Sequence, residues 1–238
     1  MRTKVLFCAA ALAVSLASSM AQVYSLNVVG YYNVTIPQNA YYMVANQLNT
    51  TNNEIQYVVP NPQDYTVMYK FIGGGYQATT FYGTDLGGSG WDNGGIFTLN
   101  PGETAFVQDP GTPGGQTLTF VGTVLQGVLS NNIPASGNVV FRSAMIPVMA
   151  TLDGLNGATT GAQGTVGMAA PADDYDVAYA FIGGGFQATT YYGTDLGGNG
   201  WDYDGTGAGP VIQVGEGFAY QKALGNPTTA WVINFTIQ

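Results

Sequence analysis

Two short loops hold the residues best suited to chemistry. GTDLGGSGWD occupies residues 83–92, and GTDLGGNGWD occupies 193–202. Asp85 and Asp92 lie in the first loop, and Asp195 and Asp202 in the second, with Asp204 just beyond. Calcium takes carboxylate and carbonyl oxygens, and glycine lets a backbone turn its carbonyls toward an ion. GGSGWD and GGNGWD also match the first six positions of the calcium-binding β-helix nonapeptide, G-G-x-G-x-D-x-U-x. That motif works as a tandem array, whereas these copies stand alone and put Gly94 and Asp204 at its bulky position. A β-roll is therefore rejected. Two expectations stay open: a lone calcium site at Asp85 and Asp92, with Asp195, Asp202 and Asp204 in the second copy, or a plain Asp/Gly turn. The turn is the simpler of the two.

Aromatic residues flank the same loops. Tyr82 and Trp91, matched by Tyr192 and Trp201, stand beside Asp and Asn. Such rings can stack on sugar C–H bonds while polar neighbours take the hydroxyls, so these four are the candidate ligand contacts. The competing expectation is packing, with each Trp closing the end of a β-sandwich.

Catalysis finds less support. Histidine is absent, which removes imidazole acid–base chemistry and the His-dependent Ser and Cys nucleophiles. The only glutamates are Glu54, Glu103 and Glu216, and the last two follow Gly in equivalent turns. The pair Asp173/Asp174 sits in a loop with no evident partner. A glycosidase needs two carboxyls at a set separation in a cleft, and no pair declares itself. The expectation is a protein without catalytic residues.

The elements that must hold these residues follow from composition and repetition. Arg2 and Lys4 precede the apolar run VLFCAAALAVSLA and the small triplet Ser19-Met20-Ala21, the layout of a signal peptide cut after residue 21. The single cysteine, Cys8, lies inside it, so the mature chain is expected to be secreted and free of disulfides. Its destination would be outside the cell, at the cell surface or in the periplasm. No later stretch has the roughly 20 apolar residues that would span a bilayer as a helix. After the leader, three basic residues face fourteen carboxylates, a charge of −11 that excludes nucleic acid as a partner.

An internal repeat organises the rest. FIGGGYQATTFYGTDLGGSGWD begins at Phe71 and recurs from Phe181 with three changes. DYTVMYKF (64–71) aligns with DYDVAYAF (174–181), and PGETAFVQ (101–108) with VGEGFAYQ (214–221). The expected units are 22–125 and 126–238, the second carrying a Gly/Ala/Thr-rich insertion near 152–170. Alternation in DYTVMYKF puts Tyr65, Val67, Tyr69 and Phe71 on one face and Thr66, Met68 and Lys70 on the other. The first set recurs as Tyr175, Val177, Tyr179 and Phe181, and this constant apolar face is expected to form the core. Short β-prone runs between Gly, Pro and Asn make an all-β protein of two tandem sandwich-like or small-barrel units.

QVYSLNVVGYYNVTIP, the PGETAFVQ and VGEGFAYQ turns, and TLTFVGTVLQG resemble a group of uncharacterised secreted bacterial proteins with tandem β-rich repeats. The resemblance implies a secreted, repeated, all-β chain and carries no catalytic residue across. The functional expectation is a non-enzymatic structural or adhesive protein that self-associates. A carbohydrate-binding module, calcium-assisted through the Asp/Gly/Trp loops, is the alternative.

Overall fold

The structure, a computed structural model, describes residues 28–92, 98–135, 137, 139–153 and 172–237. The expected signal peptide and most of the insertion near 152–170 lie outside the described residues. The fold is all-β, with one four-residue α-helix among the described residues, α1 (Ile55–Val58). No described helix is long and apolar enough to cross a membrane.

Seven strands lie between residues 28 and 124: β1 (Val28–Ile36), β2 (Tyr41–Ala45), β3 (Val67–Ile72), β4 (Gly75–Tyr82), β5 (Gly90–Trp91), β6 (Thr104–Gln108) and β7 (Gln116–Val124). They form a five-stranded antiparallel sheet in the order β2-β6-β3-β4-β5 and a β1-β7 ribbon. The second half repeats this plan. Its strands are β8 (Gly127–Ile133), β9 (Val139–Arg142), β11 (Val177–Ile182), β12 (Gly185–Tyr192), β13 (Gly200–Trp201), β15 (Phe218–Gln221) and β16 (Thr229–Phe235). They give a sheet β13-β12-β11-β15-β9 and a ribbon β16-β8. The second half adds a short pair, β10 (Ala150–Thr151) with β14 (Val211–Ile212), where the described residues of the first half hold the isolated bridge Glu54–Thr98.

Alternation explains each sandwich. In β1 and β7 the buried Tyr32, Val34, Ile36, Leu118 and Phe120 point inward, and the residues between them are exposed. The hairpin β3–β4 turns at Gly73 and Gly74, with φ of +62° and +87°, the positive pair that a two-residue hairpin turn requires. Gly183 and Gly184 repeat it at +61° and +85°.

The assignment of faces in β3 is reversed from expectation. Met68 and Thr66 are buried inside the first sandwich, and Ala178, Ala180 and Asp176 are buried inside the second. Tyr65 and Tyr175 are exposed. Tyr69, Phe71, Tyr179 and Phe181 pack instead around Met43, Phe106, Phe141 and Ala219, a cluster shared by the outer faces of the two large sheets. Both faces of each sheet are covered, so alternation separates two apolar faces without saying what covers either. The constant face meets the other unit, and the face that varied meets its own ribbon.

The units also exchange polar contacts. Ala45 N–H donates to Gly215 O at 2.7 Å, and Ser143 N–H donates to Gly102 O at 2.9 Å. Each unit's Gly-Glu turn thus receives the edge strand of the other. Gln47 donates to Ser143 Oγ at 3.0 Å, and Gly215 N–H donates to Gln47 Oε1 at 2.9 Å.

Candidate functional site

The duplicated loop leaves β4 at Tyr82 and returns as β5, where Phe81 pairs with Trp91 and Tyr82 with Gly90. Between them, Thr84–Leu86 form one 3-10 turn closed by Gly87 at φ +74°. Gly88 lies against the preceding strand: a Cβ there would stand 2.3 Å from Tyr82 O. Gly198 faces Tyr192 O at 2.4 Å in the same way. Close backbone approach therefore accounts for these glycines in both copies.

The four aromatic candidates divide into two kinds. Trp91 and Trp201 are only 5% and 1% exposed and belong to the cores of their units. Trp91 Nε1 donates to Val59 O at 2.8 Å, and its ring meets Phe81 edge-on at 5.6 Å. Trp201 packs edge-on against Tyr191 and Tyr220. Neither indole presents a free face for stacking. Tyr82 is exposed and Tyr192 half-buried, and each meets a second tyrosine edge-on at 5.8 Å, Tyr65 and Tyr175 respectively.

Those partners stand on unusual backbone. Tyr65 has φ +63° and Tyr175 +65°, in the left-handed region where a bulky side chain is strained. Tyr65 N–H donates to Phe81 O, and Phe81 N–H donates to Thr66 O. Two residues thus oppose one, a β-bulge with tyrosine where glycine is usual. Its repetition around Tyr175, Asp176 and Tyr191 is exact in hydrogen bonding. Sequence reasoning missed this pair, because alternation treats Tyr65 as the first residue of a regular strand.

The carboxylates do not gather into a cage. Among the described residues no three His, Cys, Asp or Glu side chains converge as a metal site. Asp92 Oδ1 accepts the Thr79 hydroxyl at 2.5 Å and the Thr80 N–H at 2.8 Å, stapling the loop to β4. Its counterpart Asp202 is exposed, and the Thr189 hydroxyl is buried without a partner among the described residues. Asp204 accepts the Thr206 hydroxyl and N–H, which hold its carboxyl below the usual value. Asp85 and Asp195 lie beside Gly83 and Gly193, whose N–H groups donate to Asp64 and Asp174. Two carboxylates at one glycine fall short of the roughly six to eight oxygens calcium takes. Open clefts of about 760 and 400 Å³ border this region of the first unit, the larger lined by Gln56, Pro60, Tyr82, Leu86 and Asp92.

The most concentrated buried charge lies elsewhere. Asp173, which has no evident partner in the sequence, contacts Lys222 Nζ, and Asp176 Oδ2 lies 3.1 Å from the same nitrogen. The side chains of Lys222 and Asp176 are fully buried. Tyr220 donates to Asp176 Oδ2 at 2.8 Å, and burial, then the Asp176 charge, pushes its phenol far above the ordinary range. Of the other carboxylates weighed for catalysis, Glu103 pairs with Lys70 at 2.8 Å, Glu216 accepts the Tyr42 hydroxyl, and Glu54 accepts Gln56 Nε2 at 2.6 Å.

No protein-family model matches the chain, and no curated protein or solved structure matches it either. The site therefore rests on its own geometry.

Proposed function

We propose that this chain is a secreted, non-enzymatic structural or adhesive protein that self-associates through its two ribbons. One observation carries the reading. β1, β7, β8 and β16 contain no charged residue, although the mature chain has a net charge of −11. Their outward positions expose Val29 (72%), Tyr31 (76%) and Val128 (73%), interspersed with Thr and Asn. Two-stranded ribbons with uncharged apolar faces are what natural β proteins guard against when they remain apart. Two such ribbons on one chain would give each molecule two contact surfaces and allow chains to link.

Light scattering on purified mature chain tests this. Oligomers should grow with concentration, and Val29→Lys and Tyr31→Lys combined with Val128→Lys should abolish them while leaving the melting curve in place. A strictly monomeric protein at high concentration overturns the reading.

A second reading, a carbohydrate-binding module, keeps support from the exposed Tyr65–Tyr82 and Tyr175–Tyr192 pairs. Strained backbone at Tyr65 and Tyr175 is the kind of cost that binding sites carry. A bound glycan should raise the melting temperature, and Tyr82→Ala with Tyr192→Ala should remove the rise. A flat response across a broad glycan panel, with and without calcium, rules it out.

A further inference from the structure

We propose that Lys222 and Asp173 join through an intramolecular isopeptide bond, formed by the folded chain itself with Asp176 carrying the protons. Lys222 follows β15 and Asp173 precedes β11, the neighbouring strand, so the bond would close 49 residues of chain across one sheet. Lys222 Nζ is in contact with Asp173 Oδ2, the oxygen bonded to the carbon it would attack, and holding reacting groups together in this way is a large part of what such a reaction needs.

The three groups differ in the way the reaction requires. Lys222 is fully buried, so its attacking nitrogen is held against the two carboxylates and away from water. Asp176 is fully buried and accepts five donors: Lys222 Nζ, the Tyr220 hydroxyl, Asn226 Nδ2, and the N–H groups of Asp173 and Ala223. These contacts fix its carboxyl beside both Lys222 Nζ and the Asp173 backbone, the place from which a proton can be relayed between the two. Asp173 is the partly exposed member of the trio, which leaves its departing oxygen a way out to solvent.

The step balances without a co-reactant. Lys222 Nζ gives one proton to Asp176, which passes it to Asp173, so a neutral amine faces a neutral carboxylic acid. The amine lone pair attacks Asp173 Cγ and forms the N–C bond. A second Nζ proton travels through Asp176 to the departing hydroxyl, the C–O bond breaks, and one water leaves. The product is a neutral amide where the buried Lys222 ammonium had been held out of water.

The first unit serves as an internal control. By the alignment, Lys222, Asp173 and Asp176 correspond to Asp109, Gln63 and Thr66, a set with no amine. Asp109 there accepts N–H groups from Asn39, Gly111 and Thr112 instead.

Mass spectrometry decides the matter. The purified chain should be lighter by one water, and trypsin should fail to cut after Lys222. Tandem spectra should show a branched peptide joining Lys222 to Asp173. Asp176→Asn, nearly the same shape but unable to carry the proton, should keep the full mass, as should Asp173→Ala at its partly exposed position. A wild-type chain at full mass, a branch at any other carboxylate, or a water loss that persists in Asp173→Ala overturns the proposal.

Discussion

Asp109 and Lys222 hold the same place in the two units with opposite charge. Burial alone would raise the Asp109 carboxyl, but hydrogen bonds from Asn39, Gly111 and Thr112 outweigh it and hold the value below that of a free aspartate. A folded value below the unfolded one means the unfolded chain binds more protons in acid. Asp109 therefore stabilises the fold fully above the unfolded value of about 4, and this contribution is lost as pH falls through the folded value. Urea midpoints of wild type and Asp109→Asn, measured from pH 6 down to pH 3, should converge as the pH drops. Glycines give a second test at this scale. Gly88→Ala would drive a Cβ into the Tyr82 carbonyl, whereas a Cβ at Gly75 meets nothing within 4 Å. Gly88→Ala should cost roughly 1–3 kcal/mol, the scale of overpacking, and Gly75→Ala should fall well below that in denaturant titrations.

At the scale of strands, the constant face of β3 and β11 joins two sandwiches. Phe106 meets Phe181 at 5.1 Å, Phe186 at 5.7 Å and Phe141 at 5.8 Å, all three from the second unit. Phe106→Ala should lower stability by about 3–5 kcal/mol, as for other buried Phe→Ala changes. It should also split one thermal transition into two by calorimetry, because the units lose their shared cluster. A single transition with the wild-type midpoint would show that this cluster does not couple them. The repeated segments put equivalent rings at this interface: Phe71 and Phe181, with Tyr76 and Phe186 at the next matching position. The strands and the Gly73-Gly74 turn were legible in alternation and glycine spacing. The bulge at Tyr65 was not, since nothing in residue type marks a tyrosine for left-handed backbone.

For the whole molecule, charge and surface pull in different directions. A net charge of −9 repels a second copy, while the uncharged ribbons offer a place where copies can meet. Added salt screens the repulsion over a Debye length of about 8–10 Å at physiological strength and leaves apolar contact intact. Association through the ribbons should therefore strengthen from low salt to 0.15 M, at roughly physiological ionic strength. Sedimentation velocity would read this directly. Weakening with salt would instead point to ion pairs and away from the ribbons.

The sequence by itself determined the all-β class, the two matching halves, the hairpin turns and the Gly-Glu turns. Each of these depends on neighbours a few residues apart, through side-chain alternation or the backbone freedom of glycine. Only the tertiary structure decided that Trp91 and Trp201 are buried and that the constant face of β3 packs on the other unit. It also brought Asp173 to Lys222 across 49 residues. Such facts depend on which distant surface covers a face, and a period of two residues carries no record of that.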